Sequence, residues 1–166
     1  NATEYEKAGV PIPKTWNELK AAAPVFKAKL GPDFFPFDAA AYNAWLTVSL
    51  YASQRTGKSY IDPDKDVVAW SKPQLVEALT FYKSLVDGGV IKSAAASASE
   101  GKAELFERRS WAEGKLGGSY EWDSTYSKYA DPLGASQKLQ PVSILKAEGA
   151  LNDGVFRKPS MMFSKI

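Results

Sequence analysis

The chain has 166 residues, of which 45% are hydrophobic, 24% charged and 13% aromatic. These proportions exclude a disordered or collagen-like polypeptide and permit one sizeable core without disulfide or metal staples. The 21 Lys and Arg nearly balance the 19 Asp and Glu, so a net charge of +2 gives no electrostatic footprint for nucleic acid or an anionic membrane. Cysteine and histidine are both absent, which removes thiolate nucleophiles, imidazole bases and His- or Cys-ligated metal sites. Any catalysis would have to use carboxylates, Lys or Tyr, and no cofactor or metal is expected.

The opening Asn1 to Lys7 has no initiating Met, basic leader or apolar signal core, so the chain is expected to be mature or trimmed. Val10-Pro11-Ile12-Pro13 reads as extended, because each proline biases its predecessor away from helix. Thr15-Trp16-Asn17-Glu18 has the form of a capping box, and Trp16, Leu19, Ala23, Phe26 and Leu30 recur at helical spacing until Gly31-Pro32. Phe34-Phe35-Pro36-Phe37 predicts a short strand or buried loop, after which Asp38 is expected to cap a helix from Ala39 to about Arg55, buried on more than one side.

Ser59-Tyr60-Ile61 and Val67 to Trp70 are β-prone pieces around an Asp- and Pro-containing turn, a small hairpin. Ser71 starts a helix with Leu75, Leu79, Tyr82 and Val86 as its inward stripe, closed by Gly88-Gly89. Ser93 to Ser99 is low in complexity and expected to be a mobile loop before a short helix with Leu105 and Phe106. Lys115 to Tyr120 carries the small residues of a strand end or a close backbone approach, and a short helix is expected from about Asp123 to Tyr129. Leu139 to Leu145 and Ser160 to Phe163 are candidate strands. The sum is one helix-rich domain over 1–166, α/β or α+β rather than a bundle.

Gly57-Lys58-Ser59 ends like a phosphate loop but lacks its earlier glycine, with Ala52 in that place. Asp62, Asp64 and Asp66 alternate like a calcium loop, yet Val67 takes the glycine position and Pro73 the place of the final Glu, so an acidic turn is preferred. Glu121 and Asp123 flank Trp122 and form the one carboxylate pair that suggests a glycosidase or lyase, although Asp123 also suits a helix cap. Arg108, Arg109 and Lys115 are candidate anion contacts. Trp45, Tyr120 and Trp122 lie beside turns among polar neighbours, and flat rings with polar handles suit sugar faces, whereas Trp16 and Trp70 read as core.

With Ala8-Gly9-Val10-Pro11-Ile12-Pro13-Lys14-Thr15-Trp16-Asn17-Glu18-Leu19 in view, the chain resembles the extracellular sugar-binding proteins of bacterial ABC importers, family 1 solute-binding proteins. The resemblance continues through Gly57 to Tyr60, Ala78 to Ile91 and Met161 to Ile166, and it implies the central segment of one lobe of a two-lobe fold. Gly118-Ser119-Tyr120-Glu121-Trp122-Asp123 is similar to the version in a subgroup linked to oligogalacturonides. The resemblance implies ring stacking by Tyr120 or Trp122 and by Tyr42 or Trp45. Glu121, Asp123, Asn43 and Ser119 are the polar partners that fit beside them. It also implies a monomeric protein, periplasmic, extracellular or lipid-anchored, that passes an oligosaccharide to an importer permease and performs no reaction. The alternative is a small carboxylate-dependent glycosidase or lyase using Glu121 and Asp123.

Overall fold

A computed structural model describes residues 1–39, 42–62, 64–101 and 104–154. Three long helices, α2 (Trp16–Lys29), α3 (Tyr42–Thr56) and α4 (Lys72–Asp87), carry most of the core; α1 (Ala2–Ala8) packs on α2. A hairpin of β1 (Ile61–Asp62) and β2 (Val67–Val68) joins α3 to α4. Beyond it lie the short helices α5 (Ala94–Ala98), α6 (Arg109–Ala112) and α7 (Tyr126–Ala130).

The start of α2 follows from its sequence. The Thr15 hydroxyl accepts the Glu18 amide at 3.1 Å, while the Glu18 carboxylate accepts the Lys14 amide at 2.7 Å, one residue earlier than an ideal capping box. Trp16, Leu19, Ala23 and Phe26 are buried on one face, and Leu30 caps the end rather than extending it. Pro24 is tolerated within the helix. The sequence gives little sign of α1, whose seven residues bury only Tyr5, Ala8 and Glu4 before Gly9 closes it in the left-handed conformation (φ 70°).

Helix α3 begins at Tyr42, so the expected start at Ala39 is corrected; Asp38 instead pairs with Ser119 in a parallel bridge. Burial on several sides of α3 holds, with Asn43, Thr47, Leu50 and Gln54 on one face and Val48 and Ala52 on another. The inward stripe of α4 differs from the expected one: Ala78, Phe81 and Leu85 are buried, while Leu79 is exposed. Apolar residues occur all round this helix, so period alone does not choose the phase, and packing against α3 decides it. Ser93 to Ser99 is not a loop but α5, with the Ser93 hydroxyl accepting the Ala96 amide at 3.2 Å.

The hairpin pairs Ile61 with Val68 and Asp62 with Val67. Trp70 is buried beneath it against Val48, Ala52 and Ala78. Residues 35–38 run parallel to 116–119, with Phe35 donating to the Lys115 carbonyl at 2.9 Å and Asp38 to that of Gly118 at 2.8 Å. A Cβ on Gly117 would lie 2.6 Å from the Pro36 carbonyl oxygen, so the close approach read from the sequence requires glycine there. Leu139 to Leu145 forms no strand; the adjacent Lys146 bridges to Thr15. The candidate strand Ser160 to Phe163 lies outside the described residues.

Candidate functional site

The pairing of 35–38 with 116–119 delivers the chain to Ser119 at the mouth of a cavity of about 570 Å³. One side of this cavity is Ser119 to Asp123, followed by a 3-10 turn (Asp123–Thr125) and α7. Tyr126 and Tyr129, three residues apart on α7, both line it. Residues 139–145 form the opposite rim, and Trp16, Leu19, Phe37 and Leu50 close the floor.

A hydrogen-bonded cluster stands at the mouth. Asn43 in the first turn of α3 donates to the Glu121 carboxylate at 2.6 Å and to the Ser119 hydroxyl at 3.3 Å. Ser119 has both Glu121 and the Asp38 carbonyl as acceptors at 3.2 Å. Burial, then the proximity of the Glu121 carboxylate, pushes the Tyr129 phenol well above the usual range. Tyr129 is itself fixed by edge contacts with Trp111 and Phe106 and by the Trp111 indole, which donates to its carbonyl at 2.8 Å. Burial also raises the Tyr120 phenol.

Of the five residues singled out from the sequence, Tyr120, Glu121 and Trp122 line the cavity together, with Trp122 53% exposed at its edge. Trp45 is not among the lining residues: its ring packs edge-on against Tyr60 at 5.2 Å, beside the hairpin. Tyr42 opens α3, but its side chain lies outside the described residues. Asp123 also lines the cavity, and its carboxylate accepts the Ser124 amide at 2.8 Å. Tyr126, Tyr129 and the 139–145 rim were not anticipated; only the predicted helix over Asp123 to Tyr129 hinted that these tyrosines share a face.

Lys115 and Arg109 both engage Glu113, and neither they nor Arg108 line the cavity. In the acidic turn, Asp62 accepts the Asp64 amide at 3.1 Å, and this bond, with Lys65 nearby, lowers its carboxyl below the usual range. Among the described residues no group of three or more carboxylates is placed to hold a metal ion. A shallower concavity of about 440 Å³ at the hairpin is lined by Lys58, Ile61, Val67 and their neighbours without an aromatic ring among them.

Residues 1–147 match the family model of the bacterial extracellular solute-binding protein. The chain belongs to that family. A periplasmic solute-binding protein from Pectobacterium atrosepticum is similar to this solute-binding chain at 37% identity and a TM-score of 0.83, over 93% of this chain and 39% of that one. A periplasmic oligogalacturonide-binding protein from Yersinia enterocolitica, solved with saturated digalacturonic acid, matches at 37% identity and a TM-score of 0.84, over 93% and 38%. A structure described as a de novo designed esterase also matches, at 36% identity and a TM-score of 0.83, over 93% and 38%. The chain thus spans less than two fifths of the length of these relatives. Among curated proteins none matches the chain. The fold is the helix-rich periplasmic-binding-protein type expected from the sequence. No described helix is long and apolar enough to cross a membrane.

Proposed function

We propose that this chain forms a single domain, one wall of a cleft that captures an oligosaccharide for delivery to an ABC importer, acting outside the cytoplasm and without catalysis. The observation that carries the reading is the grouping of Tyr120, Trp122, Tyr126 and Tyr129 with Ser119 and Glu121 in one cavity of about 570 Å³, the last two held by Asn43 from behind the lining. A sugar ring offers an apolar C–H face and a rim of hydroxyls, and aromatic plates beside hydrogen-bonding side chains complement both. The Yersinia neighbour makes oligogalacturonides the first ligands to test. Tyr120, Glu121 and Trp122 are the assigned contacts. Trp45 and Tyr42 extend the site only if a ligand reaches past α3 toward the hairpin. The complete protein is read as a monomeric periplasmic or lipid-anchored receptor with a permease as partner and no nucleic acid.

One wall encloses half a ligand, so binding by this chain alone is expected to be weak, in the millimolar range. Calorimetry tests this directly: micromolar binding by the 166-residue chain would contradict the half-cleft reading. Glu121 and Asp123 both face the cavity, which keeps a carboxylate-dependent hydrolase as the competing reading. Against it, the Glu121 carboxylate is held by hydrogen bonds from Asn43 and Ser119 rather than left free to face a substrate. Turnover of pectic or xylan oligomers that is lost in Glu121→Gln would reverse the assignment.

A further inference from the structure

Residues 138–145 run along the cavity rim without a turn or bend, yet they form no strand. Their backbone partners divide by parity. The Lys138 carbonyl accepts the Ala2 amide at 2.8 Å, and Lys146 accepts from Trp16 at 3.1 Å and donates to Lys14 at 3.0 Å. The Leu139 and Leu145 carbonyls accept side chains instead, from Tyr126 at 3.1 Å and Gln54 at 2.8 Å. In a run without bends, successive residues present their backbone groups to opposite edges. The even-numbered edge is therefore paired with main chain at both ends and bare between them: the backbone groups of Gln140, Val142 and Ile144 bond to nothing among the described residues. Pro141, which has no amide hydrogen, falls on the other edge, where proline is tolerated.

Across the cavity from this edge lie Gly117 to Ser119, and the floor between them is Trp16, Leu19, Phe37 and Leu50. At one end of the gap the Asn1 nitrogen donates to the Gly117 carbonyl at 2.6 Å while Ala2 reaches the Lys138 carbonyl, so a single main chain there spans both sides. Such a gap is one strand wide. We propose that the cavity floor is a strand slot, filled in the longer protein by an extended segment that pairs with Gln140, Val142 and Ile144 on one side and with 117–119 on the other. The occupant is the sequence that leads into the position of Asn1, running antiparallel to the rim with apolar residues at every second position to meet the floor. The family has the sequence to supply it, because this chain spans less than two fifths of its solved relatives. Tyr120, Glu121 and Trp122 stay at the mouth, so the sugar reading stands or falls separately.

Amide exchange followed by nuclear magnetic resonance tests the slot. The chain is compared with a version extended at Asn1 by about eight residues, copied from the Pectobacterium relative where they lead into the matching stretch, and with a Gly- and Ser-only extension of equal length. The copied extension should slow exchange at Gln140, Val142 and Ile144 at least about tenfold over the Gly- and Ser-only control, and leave Ser143, on the opposite edge, unchanged. In the extended chain Val142→Pro should remove most of that slowing at Gln140 and Ile144, whereas Ser143→Pro should keep it. If the extended chain aggregates, the same segment added as a free peptide at millimolar concentration should shift the 140–144 amides and not those of the 61–68 hairpin. Slowing no greater than in the control, equal slowing at Ser143, or peptide shifts confined to the hairpin would overturn the proposal. Slowing in the unextended chain that grows with protein concentration would overturn it as well, by making a second copy the occupant.

Discussion

Between α2, α3 and α4 the chain is held by apolar side chains with almost no exposed surface, Leu19, Ala23 and Leu85 among them. From Ser119 to Leu151 it has one five-residue α-helix and two 3-10 turns among the described residues, and side chains reaching over to backbone groups hold much of it in place. Gln54 shows the second arrangement most fully. From α3 its amide donates to the Leu145 carbonyl at 2.8 Å and accepts from Ala147 at 2.9 Å and the Trp16 indole at 3.2 Å, and its own carbonyl accepts Leu151 at 2.8 Å. Helix faces thus supply stability, while hydrogen bonds set the position of the cavity rim. Mutations in the two regions should therefore fail differently.

The largest expected effect is in the helical layer. Phe26→Ala removes a fully buried ring packed at 4.8 Å against Tyr5, and should cost about 3–5 kcal/mol in denaturant unfolding. Gln54→Leu leaves the Trp16 indole, the Ala147 amide and the Leu145 carbonyl without this partner, a loss on the order of 3 kcal/mol. Hydrogen exchange checks the contrast: Phe26→Ala should raise exchange across α2 and α1, and Gln54→Leu mainly across 139–151. Equal acceleration everywhere in Gln54→Leu would remove the distinction between the regions. Thr15→Ala deletes one cap and should cost about 1 kcal/mol, confined to the start of α2.

The smallest expected effect depends on pH. Glu100 is partly buried, which by itself raises its carboxyl, but hydrogen bonds from Lys92 and Ser110 outweigh that and hold it below its ordinary 4.5. A lowered folded value means that this link between α5 and α6 stabilises the protein above about pH 4.5 and is lost as the pH falls through the folded value. Acid titration of unfolding should therefore show a dependence below that pH that Glu100→Gln removes.

Much of the helical layer was legible because its signals are local. Thr15 with Glu18 marks a helix start whatever surrounds it, and Gly117 announces a close approach that only glycine permits. Phase and remote contact were not legible. Leu79 and Phe81 are equally apolar, and only the partner helix decides that Phe81 turns inward. Ser93 to Ser99 looked featureless, although its alanines favour helix once Ser93 caps them. At the site, Tyr120, Glu121 and Trp122 stood out through their glycine-led strand end and the family resemblance. Tyr129 becomes important only by lining the same cavity as Glu121, eight positions away, and Gln54 through contacts nearly a hundred residues distant.

The most direct test of the cavity as a sugar-binding wall follows the tryptophan indole resonances during titration with digalacturonic acid. Trp122 stands half-exposed at the cavity edge and Trp70 lies buried beneath the hairpin, so each reports on a different part of the surface. The account predicts that the Trp122 indole shifts with millimolar affinity while that of Trp70 stays fixed. A shift at Trp70 with Trp122 unmoved, at saturating sugar, would contradict it.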